Sequence, residues 1–178
     1  AGGLFQIGDA LHTGSSVAFE PIPSFSPEVF GYLRPTEVGA SRKSFAKGVD
    51  QLLAEGAVQR LKERGNDGPD PLLAAVGELQ FEVVVDRMQG EYGVSCAVER
   101  VSYTIARWCR PELPPEEAWA AVDAAKKEGA LTGAFYAEDM FGRPVLLFRN
   151  AYTVERLEND ADLDLGLQPW ALPPATAP

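Results

Sequence analysis

The amino-acid sequence predicts an α+β fold, in which the end of a β-barrel precedes a βαββαβ unit and a small C-terminal α/β extension. Three observations support this prediction. Short apolar runs broken by Gly and Pro occupy the first 33 positions, which is typical of strands. Two later segments carry apolar residues with the helical period, each flanked by β-type runs. A third helical segment and a hairpin pattern follow after residue 101.

Residues 1–27 are predicted to be the end of a β-barrel domain. The runs LFQI and LHTGSSVAF indicate short strands with turn residues beside them. Pro21, Pro23 and Pro27 disfavour a helix before the next strand. Because so few strand residues cannot form an independent β domain, we expect the beginning of this barrel outside the sequence.

Residues 28–100 are predicted to form the βαββαβ unit of ferredoxin-like folds. The run EVFGYL predicts the first strand, and Phe45, Val49 and Leu52 recur on one face of a helix over residues 41–55. AVQRL and LLAAV predict the two following strands. A second helix with one apolar face follows LLAAV, and VSCAV predicts the last strand.

Residues 101–170 are predicted to form the α/β extension. SYTIARW predicts a strand, and residues 114–128 predict a helix because prolines open it and acids occupy its first turn. LTGAFYAEDMFGRPVLLF predicts a hairpin, residues 150–159 a last helix, and LDLGL an edge strand. The remaining residues, 171–178, are predicted to be a disordered tail.

Charge is distributed unevenly along the chain. The net charge is -10, which argues against a general attraction to nucleic acids or to membrane surfaces. Residues 34–64 depart from this balance, with seven basic residues against four acidic ones. We therefore expect any phosphate-binding surface to lie in this segment. Its basic residues are Arg34, Arg42, Lys43, Lys47, Arg60, Lys62 and Arg64.

No pattern of catalytic or metal-binding residues stands out in the sequence. It lacks the phosphate-binding pattern GxxxxGK[ST] and the zinc pattern HExxH. His12 is expected at the surface, and Cys96 and Cys109 in the core. The alternating acids of residues 160–164 lack the glycine and distal glutamate of a calcium loop. The two cysteines fit a reducing cytoplasm, and no apolar run is long enough to cross a membrane.

Four stretches resemble a known family. The longest, AVGELQFEVVVDRMQGEYGV at residues 75–94, resembles the signature of bacterial peptide chain release factor 3, the class II release factor of the translational GTPase family. IPSFSPEVF at residues 22–30, KGVDQLLAEGAVQ at residues 47–59 and ARW at residues 106–108 resemble the same family in the same order. GELQFE also resembles a stretch of elongation factor G, a relative.

The resemblance implies a non-catalytic fragment of such a factor: the end of its barrel domain and its complete C-terminal domain. The GTP-binding domain has no counterpart in the sequence, so GTP and Mg²⁺ are expected in the missing domain and no cofactor in this chain. The implied partners are the ribosome, through small-subunit protein and ribosomal RNA, and the remaining domains of the factor. The implied function is to hold the factor on the ribosome while it promotes release of class I release factors.

The ribosome contact is expected at the basic segment. Arg42, Lys43 and Lys47 lie on one predicted helix, and Arg60 and Lys62 on the strand that follows. A solvated helix face is the alternative for the first three. A phosphate or ribosomal-protein contact is favoured by local positive charge in an acidic chain. Arg64 could extend the same surface.

The GELQFE motif is expected to be mainly scaffold, with an interdomain or ribosomal contact as the alternative. Gly77 is expected to allow a close backbone approach or an unusual φ. Phe81 is expected in the core. Glu78 and Glu82 are favoured near the positive end of a helix dipole. Gln80 stands where elongation factor G has histidine.

Two other functions remain open from the sequence. The first is the corresponding region of another translational GTPase, such as an elongation factor G relative, which Gln80 and the ARW strand disfavour. The second is a ferredoxin-like regulatory domain that binds a small metabolite, because that fold hosts many functions.

Overall fold

The computed structural model describes residues 13–14, 25–66 and 68–172. Within them, the helices are α1 (Arg42–Ala54), α2 (Glu78–Tyr92), α3 (Pro115–Lys127) and α4 (Ala151–Glu158). The strands are β1 (Val29–Pro35), β2 (Gln59–Glu63), β3 (Leu72–Ala75), β4 (Cys96–Arg100), β5 (Ile105–Cys109), β6 (Phe135–Glu138), β7 (Pro144–Phe148) and β8 (Leu167–Gln168). The α+β class is confirmed. Most of the predicted barrel remnant, with His12, lies outside the described residues.

The ends of α1 and α2 follow from local capping. The hydroxyl oxygen of Ser41 accepts a hydrogen bond from the backbone N–H of Ser44 at 3.2 Å, which satisfies a donor that the helix leaves unpaired. At the other ends, Gly56 has φ of 68° and Gly93 has φ of 65°. Glycine adopts this left-handed conformation without the strain of a side chain, so both helices stop there.

The eight strands form one open antiparallel sheet in the order β4-β1-β3-β2-β6-β7-β5-β8. The first four strands have the order of a ferredoxin-like unit, as the sequence predicts. Strands β5–β8 form the second half of the sheet, which joins the first half through β2. The first three residues of β2, Gln59, Arg60 and Leu61, pair with β3. Its last two residues, Lys62 and Glu63, pair instead with β6.

Three buried clusters divide the chain into helix and sheet layers. In the first cluster, α1 and α2 pack on one face of the β1–β4 half. In the second, the other face of that half packs against strands β5–β7, through Phe30 and Leu61 on one side and Trp108 and Val145 on the other. In the third, α3 and α4 cover the outer face of β5 and β7. The two halves of the sheet therefore face each other between two pairs of helices.

The structure differs from the prediction at two strands. The run AVQRL predicts a strand from residue 57, whereas β2 begins at Gln59. The N–H of Ala57 donates to the carbonyl of Leu52, so this residue still belongs to the turn that ends α1. LDLGL predicts an edge strand, whereas β8 is formed by Leu167 and Gln168. Beyond β8, Ala171 is buried, at the beginning of the segment predicted to be a disordered tail.

Both cysteine thiols are expected to be unreactive in the folded chain. Burial raises the pKa of Cys96 to about 11 and that of Cys109 to about 12, so almost no thiolate forms at neutral pH. With a disulfide-exchange reagent at pH 7.5, neither thiol should react within minutes in native buffer. Both should react in concentrated urea. Rapid reaction of one thiol in the native chain would place that cysteine outside the core.

Candidate functional site

Three basic side chains of α1 are exposed. Lys43 and Lys47 lie on the face opposite Phe45 and Val49, which pack into the first core, whereas Arg42 is the first residue of the helix and lies on the side of Val49. The first turn of α1 contains no acid. The positive end of a helix dipole disfavours cations, and like charges four residues apart repel each other. Arg42 and Lys43, in the first turn, are therefore opposed by the dipole, and Lys43 also by Lys47; Lys47 itself lies beyond the first turn and three residues from the exposed Asp50.

Arg60 and Lys62 lie on the same side of the sheet as α1. Val58 belongs to the first core, under the helices, and side chains alternate along β2, so Arg60 and Lys62 share its side. Because β1 and β2 both run antiparallel to β3, they are parallel to each other. The helix that connects them therefore begins at the edge where β2 ends. We call Arg42, Lys43, Lys47, Arg60 and Lys62 the basic surface.

Most other cations of the chain already have partners. Arg34, Arg87, Arg100, Arg107, Arg110 and Arg143 form ion pairs within the chain. Among the described residues, the lysines and arginines that form no hydrogen bond, ion pair or ring contact are Arg42, Lys43, Lys47, Arg60 and Lys127. Four of these belong to the basic surface. Its fifth member, Lys62, lies 3.5 Å from the Glu138 carboxylate.

Arg64 is a structural residue rather than part of the basic surface. Its guanidinium donates to both carboxylate oxygens of Asp123 and lies 3.9 Å from the centre of the Trp119 ring. Hydrogen bonding to Arg64 lowers the pKa of Asp123, and the same bond raises the pKa of Arg64. Since Asp123 and Trp119 lie on α3, Arg64 connects the end of β2 to the second half of the fold.

Gln80 organises the start of α2. Its side-chain oxygen accepts hydrogen bonds from the N–H groups of Val76 and Gly77, and its amide donates to the carbonyl of Ala57 at 3.0 Å. The expectation for Gly77 was wrong. Gly77 has extended backbone with φ of -154°, and no atom lies within 4 Å of the position where a Cβ would stand.

The other GELQFE residues divide between the core and the surface. Phe81 is buried in the first core, and the Arg100 guanidinium lies 4.9 Å from its ring centre. Arg100 also pairs with Glu78. Glu82 is exposed and has no ion-pair partner among the described residues. The geometry thus accounts for Glu78, Gln80 and Phe81 by contacts inside the domain.

The sequence reasoning missed the exposed apolar residues of α2. Leu79 is 74% exposed and Val83 is 49% exposed. Their spacing of four residues puts them on one helix face, separate from the buried face that carries Phe81, Val84 and Met88. The sequence did contain a signal for them: α2 carries a second apolar stripe in addition to the one that faces the core.

A cleft of about 280 Å³ lies beside the end of β2. Tyr32 and Glu63 line it, and the Tyr32 hydroxyl donates to Glu63 at 3.1 Å. Burial, followed by this hydrogen bond, raises the pKa of Tyr32 to about 12, so the phenol stays neutral at physiological pH. The cleft carries charges of both signs, and its tyrosine is poorly suited to act as a base.

Neither a cluster of metal-ligand side chains nor a membrane-spanning helix occurs in the part of the chain that the structure describes. Residues 25–66 and 68–172 contain no group of three or more His, Cys, Asp and Glu side chains that could hold a metal ion. None of the described helices is long and apolar enough to span a membrane.

Comparison with known proteins identifies the family. Residues 19–158 match the family described as "Class II release factor RF3, C-terminal domain". The chain is 46% identical over 173 residues to peptide chain release factor 3 of Synechocystis sp., covering 97% of this chain and 30% of that protein. It is 44% identical over 158 residues to peptide chain release factor 3 of Nostoc punctiforme, covering 89% of this chain and 27% of that protein. The chain therefore spans less than a third of these relatives. It belongs to the peptide chain release factor 3 family and corresponds to the C-terminal domain of that family.

Proposed function

We propose that this chain is the ribosome-docking region of a translation-termination factor, and that its basic surface contacts phosphate groups of ribosomal RNA. In this proposal the chain itself catalyses no reaction. GTP and Mg²⁺ are bound by a part of the factor outside the matched domain. The factor acts in the cytoplasm and promotes departure of class I release factors, while this region holds it against the small subunit.

One observation carries the proposal: the cations of the described chain that lack partners are concentrated on the basic surface. In a chain of net charge -10, half of the 16 basic side chains are used for internal ion pairs. Arg42, Lys43, Lys47 and Arg60 are not. Two of them, Arg42 and Lys43, also lie in the first turn of α1, where the helix dipole opposes them. Binding of a phosphate-rich partner would remove this unfavourable electrostatics, which explains why such residues persist at functional surfaces.

Charge reversal on the basic surface tests the proposal. The double variant Lys43→Glu with Lys47→Glu should weaken co-sedimentation with 70S ribosomes about tenfold or more in dissociation constant, because two phosphate contacts are lost and two repulsions added. The slope of log affinity against log salt should fall by about one for each lost phosphate contact. The variants should be measured in this chain and in the longer factor that carries it.

Lys127→Glu is the matched control. Lys127 is exposed, lies on α3 and forms no hydrogen bond, ion pair or ring contact with the described residues, although its charge contributes to the lowered pKa of Asp123. Lys43→Glu and Lys127→Glu change the net charge equally. Only the α1 variant should reduce ribosome association. If circular dichroism shows that both proteins are folded, and the double variant binds ribosomes as tightly as the unmodified chain, then α1 is not part of the ribosome contact.

A further inference from the structure

The cleft beside the end of β2 opens where β2 and β3 separate. Leu61 and Leu72 form the last pair between these strands, and the loop that connects them contributes Asn66 and Asp70 to the lining of the cleft. The volume of the cleft, about 280 Å³, is close to the lower limit of about 300 Å³ for ligand pockets. Its size therefore suits a group as small as a nucleobase rather than a whole cofactor.

The cleft has a cationic side and a carboxylate side. Arg60 and Lys62 line it from the side of the sheet on which α1 lies, whereas Glu63 alternates to the other side of β2. Arg60 is exposed and has no partner within the described part of the chain. The cleft thus continues the basic surface at Arg60 and adds hydrogen-bond acceptors to it.

Two carboxylates in the lining each have one oxygen open to a ligand. The Tyr32 hydroxyl and the Asn66 amide both donate to Oε2 of Glu63, at 3.1 Å and 2.7 Å, and no described residue donates to Oε1. Arg34 lies 3.1 Å from Oδ2 of Asp70, and no described residue donates to Oδ1. Each carboxylate is therefore held through one oxygen, while the other remains an acceptor.

The charges of the cleft restrict its ligand. A basic side chain of a protein would meet Arg60 and Lys62, and an acidic ligand would meet Glu63 and Asp70, so like charges oppose both. A nucleotide avoids both conflicts, because its base carries neutral N–H donors and its phosphate carries the negative charge. Guanine suits two open acceptors, since N1–H and the N2 amino group are neighbours on its Watson–Crick edge.

We propose that this cleft binds an unstacked guanine nucleotide of ribosomal RNA, with the base at Glu63 and Asp70 and the phosphate at Arg60. The inference rests on the proposed ribosome contact and names the part of the RNA that is recognised there. Proteins read RNA bases mainly in single-stranded loops and bulges, because there the bases can leave the stack. The phosphate contacts of α1 position the RNA, and the cleft selects the base.

Short RNA tests base selection separately from charge. The end-labelled hexanucleotides UUGUUU and UUAUUU carry equal numbers of phosphates, and fluorescence anisotropy measures their affinity for the 178-residue chain. The guanine form should bind at least about tenfold more tightly, because its edge supplies two hydrogen bonds that adenine cannot supply in the same positions. Replacing guanine by inosine, which lacks the N2 amino group, should lose part of this preference.

Glu63→Gln should reduce the preference for guanine to less than about threefold, while its side-chain oxygen still accepts from Tyr32. Glu82→Gln is the matched control, because it removes the same charge from an exposed residue of α2 that has no ion-pair partner among the described residues. Both variants change the general attraction to RNA equally, so only a change in base preference reports on the cleft. Arg60→Ala should weaken the binding of both hexanucleotides by a similar factor, since it removes a phosphate contact.

The outcomes separate this inference from the proposed function. Equal affinity for the two RNAs, or an unchanged guanine preference in Glu63→Gln, would overturn the inference and leave the contact of α1 intact. Guanosine monophosphate that binds as tightly as the guanine hexanucleotide would overturn the assignment to RNA and make the ligand a free nucleotide. Absence of binding by both RNAs would contradict the inference and the phosphate contact together. A guanine preference, combined with unimpaired ribosome binding of the Lys43→Glu and Lys47→Glu double variant, would support the cleft and reject α1 alone.

Discussion

Replacing Asp139 by alanine should lower the free energy of unfolding by about 3–5 kcal/mol, because it leaves a buried cation without its partner. The side chains of Asp139 and Arg143 are each 9% exposed, and Nη2 of the guanidinium lies 2.7 Å from the carboxylate. Arg143 is the buried charged residue of the second half of the fold. Removing the carboxylate keeps the desolvation cost of the guanidinium and loses the attraction that offsets it.

The Asp139 carboxylate also organises the β6–β7 hairpin. One oxygen accepts from the backbone N–H groups of Phe141 and Arg143, and the other accepts from the Trp108 indole at 3.0 Å. Arg143 in turn donates to the carbonyl of Leu172. The substitution should therefore loosen both the hairpin turn and the segment that follows β8, in addition to its effect on the ion pair.

Urea unfolding followed by tryptophan fluorescence measures this effect, since Trp108 lies in the affected network. Asp164→Ala is the control, because the Asp164 side chain is 79% exposed in its pair with Arg110. A surface ion pair of this kind contributes about 0–1 kcal/mol. If the two variants unfolded at the same urea concentration, the Asp139–Arg143 pair would have no special role in stability.

The order of elements was predictable because each element has a local cause. In α1, Phe45, Val49 and Leu52 recur with the helical period, Ser41 supplies the cap and Gly56 the stop. Since these signals depend on neighbours along the chain, they predict a helix without knowledge of the tertiary structure. The ferredoxin-like topology then follows from the order of elements, because a βαβ crossover has a fixed hand.

The pairing of side chains across the fold was not predictable. The sequence EDMFGRP indicates a hairpin turn, but the burial of Asp139 and Arg143 depends on how β5 and the segment after β8 pack around it. The split pairing of β2 likewise requires knowledge of β6. For the basic surface, the sequence predicted where positive charge accumulates. It could not distinguish Lys62, which pairs with Glu138, from residues without a partner.

Phe81→Ala should also cost about 3–5 kcal/mol, the usual range for removing a buried aromatic ring. Phe81 is 4% exposed and packs in the first core, at the contact of α2 with the sheet. The substitution removes its apolar burial and leaves a cavity beneath α2. Arg100 loses its ring contact at the same time, although its pair with Glu78 remains.

Leu79→Ala on the same helix is the control, because it changes the exposed face of α2 instead of the buried one. Leu79 is 74% exposed, and surface substitutions of this kind usually stay within about 0.5 kcal/mol. The change in unfolding free energy should therefore be large for Phe81→Ala and small for Leu79→Ala, both measured by urea unfolding. A loss under about 1 kcal/mol for Phe81→Ala would mean that the helix faces the sheet with another side. The assignment of Leu79 and Val83 to the exposed face of α2 would then fail with it, because both assignments depend on the same rotation of α2 about its axis.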